Sequence, residues 1–308
     1  ELASFSSECK YLRKDGSAIW VNRIVSLARD AAGKPIYFIR IVEDVTERKI
    51  SAHHRAMEHA VTQALAESVT VQGAMQLVLR TICQALEWTC GIYWKWNEED
   101  ELLRCAETWH TDAAGIAEFV AASEERPNEA PAWHGAAPAT SVGGIVRRVW
   151  FSGAPVWFPD VTRHPDFRRG TIAARADLRS AFGFPILSGA QPLGVMEFYS
   201  REIRQPDEAL LQIMRAIGSQ IGQFIQRKEA EQALRTSEER YRDVFEASPL
   251  PMWVWDDETL DIVAVNQAAT SHYGYSGDEF LRMNVRDIWA PGEATRYERN
   301  LRNRTREQ

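Results

Sequence analysis

Between residues 4 and 46 the apolar side chains follow a period of two. Ile19, Val21, Val25 and Leu27 share one face, and Trp20, Asn22, Ile24 and Ser26 share the other, which predicts β-strands. Lys14-Asp15-Gly16 supplies a positive-φ turn between two antiparallel strands. A second turn at Asp30–Gly33 leads into a strand over Ile36–Val42. Three strands cannot bury both faces, so this segment is expected to be half of a domain.

At Glu47 the period changes. Ile50, His54, Met57, Val61, Ala64 and Ser68 are spaced alternately by four and three, the stripe of a heptad-like helix. Thr70 to Leu86 reads as a second amphipathic helix. Strands are then expected at Thr89–Trp96, Leu102–Trp109, Val156–Pro159, Ser180–Leu187 and Leu193–Tyr199, broken by a short helix near Ala114–Ser123 and a loop-rich stretch at Arg126–Gly144. Pro206, Asp207 and Glu208 mark a helix start. Leu210, Met214, Ile217, Ile221 and Phe224 give that helix a stripe, and Ala230, Leu234, Ser237, Tyr241 and Val244 repeat it in a register shifted by one near Arg227. Pro249 and Pro251 end it. Short strands follow at Met252–Trp255 and Leu260–Val265, then helices at Gln267–Tyr273 and Asp278–Met283, with a capping box from Ser276 to Glu279.

Composition narrows the class. The apolar share of 45% and charged share of 26% are those of a folded globular chain. A net charge of -7 argues against nucleic acid as a partner. No apolar run reaches the ~20 residues of a membrane span. Cys9, Cys83, Cys90 and Cys105 show no CxxC pairing and no histidines at zinc spacing, so no metal site is expected and the thiols are read as reduced, in a cytoplasmic protein. A chain opening on Glu1 is expected to be cut from a longer one.

Several stretches resemble known families. Glu43-Asp44-Val45-Thr46-Glu47-Arg48-Lys49 resembles the Asp-x-Thr junction at which PAS domains pass into a signalling helix, and Tyr11–Trp20 resembles the PAS hairpin. Val244-Phe245-Glu246-Ala247-Ser248-Pro249, Ala264-Val265-Asn266 and Tyr273-Gly274-Tyr275-Ser276 resemble the opening of a second PAS domain. Gly153-Ala154-Pro155-Val156-Trp157 and Pro192-Leu193-Gly194-Val195-Met196-Glu197-Phe198 resemble a GAF domain. The implied class is α+β: a GAF domain with an antiparallel sheet flanked by helices, long linker helices and two partial PAS domains. The implied order is the C-terminal half of a PAS domain at 1–47, a linker helix at 48–68, GAF at 60–228, a signalling helix at 229–242 and the N-terminal half of a PAS domain at 243–308. This arrangement is common in bacterial sensor histidine kinases and diguanylate cyclases.

No catalytic residue is expected here. His53, His54 and His59 lie on a helix without the acidic residue and proline that accompany a phosphorylated histidine, and read as solvated. Gly277-Asp278-Glu279-Phe280 spells most of a cyclase signature, yet a capping box explains it. Trp109, His110, Phe119, Trp150, Trp157, Arg175, Phe182 and Phe184 are expected around a ligand cavity, against the alternative that the aromatics simply fill the core. No bilin, flavin or haem signature appears, so the cofactor is unknown. Ser200-Arg201 stands where cyclic-nucleotide binders of the GAF family carry Asn-Lys. Asp44, Thr46, Leu234 and Tyr241 are expected to transmit a signal through a homodimer, most simply in a sensor histidine kinase. The alternatives are a ligand-free dimerisation spacer or the sensor region of a diguanylate cyclase. Asn266 is expected to cap the helix after it.

Overall fold

The first strands form a three-stranded antiparallel sheet: β1 (Ser4–Leu12), β2 (Ala18–Arg29) and β3 (Pro35–Asp44), with β2 in the middle. The computed structural model describes residues 4–14, 18–124, 128–129, 144–165 and 167–289. Asp15 and Gly16 of the expected hairpin turn therefore lie outside the described residues, as does most of 126–143. In this small sheet Val21 is buried and every residue of β3 is exposed.

α1 (Thr46–Glu67) leaves β3 directly and packs on α2 (Val71–Leu86). Thr70 caps α2 by accepting the Gly73 N–H at 3.1 Å. The larger sheet has six strands, all paired antiparallel, in the order β6 (Asn128–Glu129), β5 (Leu102–His110), β4 (Cys90–Asn97), β9 (Gln191–Ser200), β8 (Ser180–Ser188), β7 (Val156–Phe158). Between its strands the chain adds α3 (Ile116–Glu124), α4 (Ile145–Ser152) and α5 (Gly170–Arg175), and it then runs into α6 (Glu208–Ala247). α4 and α5 are too short to leave a periodic signature, and neither was expected.

Period two divides the strands between two cores. Tyr93, Phe182, Phe184, Ile186, Met196 and Phe198 face α1, α2 and the first half of α6. Cys90, Ile92, Trp94, Ala181, Val195 and Tyr199 face α3, α4 and α5. Gly218 and Gly222 bring α6 onto the β8 backbone, where an added Cβ would collide with the carbonyls of Pro185 and Leu187. The helix is continuous through Arg227. Its first stripe is buried, whereas Leu234, Tyr241 and Val244 of the shifted stripe are exposed.

Contacts divide the chain into two units, Glu1–Lys228 and Glu229–Gln308. In the second, β10 (Trp253–Trp255) pairs antiparallel with β11 (Ile262–Val265), followed by α7 (Gln267–Tyr273), α8 (Gly277–Phe280) and a 3-10 turn at Val285–Ile288. Ile262, Ala269, Phe280 and Val285 form its core. Asn266 caps α7, and both halves of the Ser276–Glu279 capping box are present, so the Gly277–Phe280 tetrad is one short helix. Among the described residues no helix is long and apolar enough to cross a membrane.

Candidate functional site

On β9 the inward phase toward α3, α4 and α5 reads Val195, Glu197, Tyr199, which places one carboxylate in an apolar core. Glu197 is wholly shielded from solvent. An isolated buried carboxylate is unfavourable by several kcal/mol unless paired and hydrogen-bonded. Three donors meet it. Trp94 Nε1 donates to Oε1 at 2.9 Å, Arg169 Nη2 to Oε1 at 2.6 Å, and the Tyr199 hydroxyl to Oε2 at 2.6 Å. The guanidinium also donates to Tyr199 Oη at 2.8 Å and, through Nη1, to Ser123 Oγ at 2.7 Å. The Ser123 hydroxyl in turn donates to the Phe119 carbonyl at 3.0 Å. Every polar atom named here has a partner, the condition under which a buried network stabilises.

The rings complete the arrangement. Phe119, Trp94, Tyr199 and Phe167 surround the Arg169 guanidinium carbon at 5.1, 5.5, 5.5 and 5.6 Å from their centroids, within cation–π range. Burial opposes the charge on Arg169, but Glu197 beside it more than offsets this and raises its pKa. Burial also raises the Tyr199 hydroxyl and the neighbouring Cys90 thiol well above their ordinary values, so both stay protonated. Cys105 is pushed up to about 12, chiefly by burial. All four cysteines are free.

Of the eight residues expected around one cavity, only Phe119 belongs to this cage. Trp150 lies in the same core, stacked on Trp96 at 4.9 Å. Trp109, Trp157, Phe182 and Phe184 belong to the opposite face of the sheet, where Phe182 stacks on Trp157 at 5.5 Å. His110 contacts the Thr111 carbonyl, and Arg175 is 60% exposed in a pair with Glu118. Phe182 and Phe184, two apart on β8, share the face toward α1, α2 and α6, whereas Phe119 and Trp150 come from α3 and α4 on the other side of the sheet. The sequence did carry a signal for Glu197, a charge on the inward phase of an apolar strand. Arg169 carried none, because its loop has no periodicity. His53 and His59 are exposed as expected, but His54 is buried, 3.8 Å from Asp207. It lies on the α1 stripe that packs into the core.

The expected relay residues fall at the start of α1 and in the second half of α6. Thr46 Oγ1 accepts the Trp20 N–H at 2.8 Å, and Asp44 Oδ1 accepts the Thr46 N–H at 2.9 Å, which fastens the first turn of α1 to β2. The bonds from Thr46 hold the Asp44 carboxyl below its usual range. Leu234 and Tyr241 are 62% and 76% exposed. In the second unit the last turns of α6 and strands β10 and β11 enclose a groove of about 420 Å³, lined by Tyr241, Val244, Phe245, Met252, Val254 and Ala264 among others.

Comparison with known proteins agrees with this architecture. The GAF-domain family model matches residues 68–226, and PAS-domain models match residues 3–47 and 239–308. A methyl sulfide methyltransferase-associated sensor of Methanosarcina acetivorans is 24% identical over 291 residues, 92% of this chain and 27% of that protein. The sensor histidine kinase TmoS of Ectopseudomonas mendocina is 45% identical over 47 residues, 15% of this chain and 5% of its own length. The probable diguanylate cyclase DgcE of Escherichia coli (strain K12) is 34% identical over 71 residues, 23% of this chain and 6% of its own. The chain thus spans about a quarter, or far less, of the curated relatives it matches. The solved GAF domain of a phosphoenolpyruvate-protein phosphotransferase from Coxiella burnetii covers 59% of this chain and 98% of its own, at 14% identity and a TM-score of 0.48. The chain belongs to the GAF-domain family, with PAS-type segments on either side of the GAF domain.

Proposed function

We propose that this chain is the sensory and relay region of a signalling protein, in the first place a sensor histidine kinase. In this reading a small ligand in the GAF domain changes the packing of α1 and α6, and a homodimer carries that change onward. The observation that carries the reading is α6 itself. Its first half is buried against the sheet, and the same unbroken helix then exposes Leu234, Tyr241 and Val244 at seven- and three-residue spacing. Such a stripe fits a parallel partner helix. A ligand biases the relay by its differential affinity for two packings. The free, unpaired cysteines fit a cytoplasmic setting.

A diguanylate cyclase parent would use the same relay, and the partial likeness to DgcE keeps it as the second reading. Light scattering on the chain and on a Leu234→Glu/Tyr241→Glu variant tests the proposal. The parent is expected at twice its monomer mass and the variant near the monomer. A monomeric parent, or an unchanged variant, overturns the relay.

A further inference from the structure

Arg169 is a cation supplied to a buried carboxylate by a connecting segment. It follows the 3-10 turn at Val161–Arg163 and is the N-cap residue of α5, its carbonyl accepting the Ala173 N–H at 2.8 Å, whereas the receptor of its side chain is built from the scaffold: Trp94 on β4, Glu197 and Tyr199 on β9, Phe119 and Ser123 on α3. Phe167 alone travels with the arginine on the same segment. The scaffold offers ring faces to a delocalised cation, one carboxylate to its charge, and the oxygens of Ser123 and Tyr199 to its remaining N–H groups. The planar fork of a guanidinium satisfies all of these together, and a point-like ammonium does not. The Arg169 side chain remains 17% exposed, so the cage is not sealed from solvent.

We propose that this cage is the ligand site of the GAF domain, that its ligand is an alkylguanidinium, and that Arg169 is a tethered occupant which the ligand displaces. The inference rests on the sensor reading above and gives it a site and a ligand class. A free guanidinium would take over the bonds to Glu197, Tyr199 and Ser123, so no buried charge is stranded during the exchange. The Arg169 side chain then swings out of the cage, and its bonds to Ser123 on α3 and to Glu197 and Tyr199 on β9 are lost. A tetraalkylammonium would satisfy the rings but leave the Ser123 and Tyr199 oxygens without the donor they have now, and Glu197 Oε1 with Trp94 Nε1 only. An uncharged alcohol would leave Glu197 unpaired. Because the tether competes at high local concentration, the native chain should bind more weakly than a chain without it.

Agmatine, an alkylguanidinium without a carboxylate, is the probe, titrated into the whole chain by calorimetry and followed by thermal unfolding. The native chain should show saturable binding and a raised Tm at up to about 10 mM agmatine, and Arg169→Ala should bind at least about tenfold more tightly. Arg169→Lys, which keeps a cation but loses the fork, serves if the alanine variant does not fold, and should also bind more tightly than the native chain. Tetramethylammonium at the same concentration should do nothing to any of them. Absence of agmatine binding in both the native chain and a folded Arg169 variant overturns the proposal. Binding by the variant alone overturns displacement, and an equal response to tetramethylammonium overturns the ligand class. A monomeric mass in light scattering would defeat the relay reading and leave these results standing.

Discussion

Asn266 Nδ2 donates to the carbonyl of Phe245 at 3.0 Å, tying the start of α7 to the last turn of α6. The same amide donates to the Leu250 carbonyl at 2.9 Å, and its Oδ1 accepts the N–H groups of Met252 and Ala269, both at 2.9 Å. One fully buried side chain thereby holds a helix end, a strand start and a helix cap together.

Asn266→Ala should therefore destabilise the second unit by about 3 kcal/mol, since several buried backbone groups lose their partner at once. Urea unfolding of the whole chain should resolve an early transition for residues 229–308, with the first unit unchanged. A single unshifted transition would contradict the role assigned to Asn266.

At the start of α1, Thr46→Val removes the oxygen that receives the Trp20 N–H while keeping the side-chain shape. The Trp20 amide should exchange with solvent about fivefold faster, the equivalent of ~1 kcal/mol. Acid should act on the same joint through Asp44. Its folded pKa lies below the 3.8 of the free group, first through its hydrogen bonds to Thr46. Its contribution is thus complete above that value and is lost as pH falls through the lower folded value. Protection at Thr46 should hold at neutral pH and fail only in strong acid.

Gly222→Ala sets helix propensity against space. Alanine gains up to ~1 kcal/mol within an α-helix, but its Cβ would collide with the Leu187 carbonyl on β8. Backbone on both sides leaves little room to yield, so a net loss of about 1–3 kcal/mol is expected in denaturant unfolding. A stabilised variant would show that α6 does not approach β8 so closely.

Arg169→Met should strand the Glu197 carboxylate and lose about 3–5 kcal/mol. Adding Glu197→Gln in that background should restore part of the stability, because the stranded charge is gone. Simple additivity in this double-mutant cycle would mean that the two groups do not interact.

Cys83 and Cys90 should resist iodoacetamide at pH 8 in the folded chain, because burial raises both thiols far above that pH. Unfolding should expose both to alkylation. Rapid labelling under native conditions would place them at an accessible surface.

The sequence by itself determined the secondary elements with strong periods. Ile19–Leu27, Ser180–Leu187 and the stripes of α1, α2 and α6 could be read because one buried face imposes a spacing of 2 or 3.6 residues. The capping roles of Asn266 and Ser276 were also legible, since a cap acts within four residues of itself. Tertiary structure alone decided what the aromatics do. Period two says that Phe182 and Ala181 face opposite ways, but not which layer each will meet, so Phe119 and Phe182 looked alike and lie on opposite faces of the sheet. The pairing of Arg169 with Glu197 joins residues 28 positions apart across an irregular segment. No local pattern encodes such a pair; it exists only once the sheet has buried the carboxylate and the fold has brought the fork-shaped cation of Arg169 within reach of it.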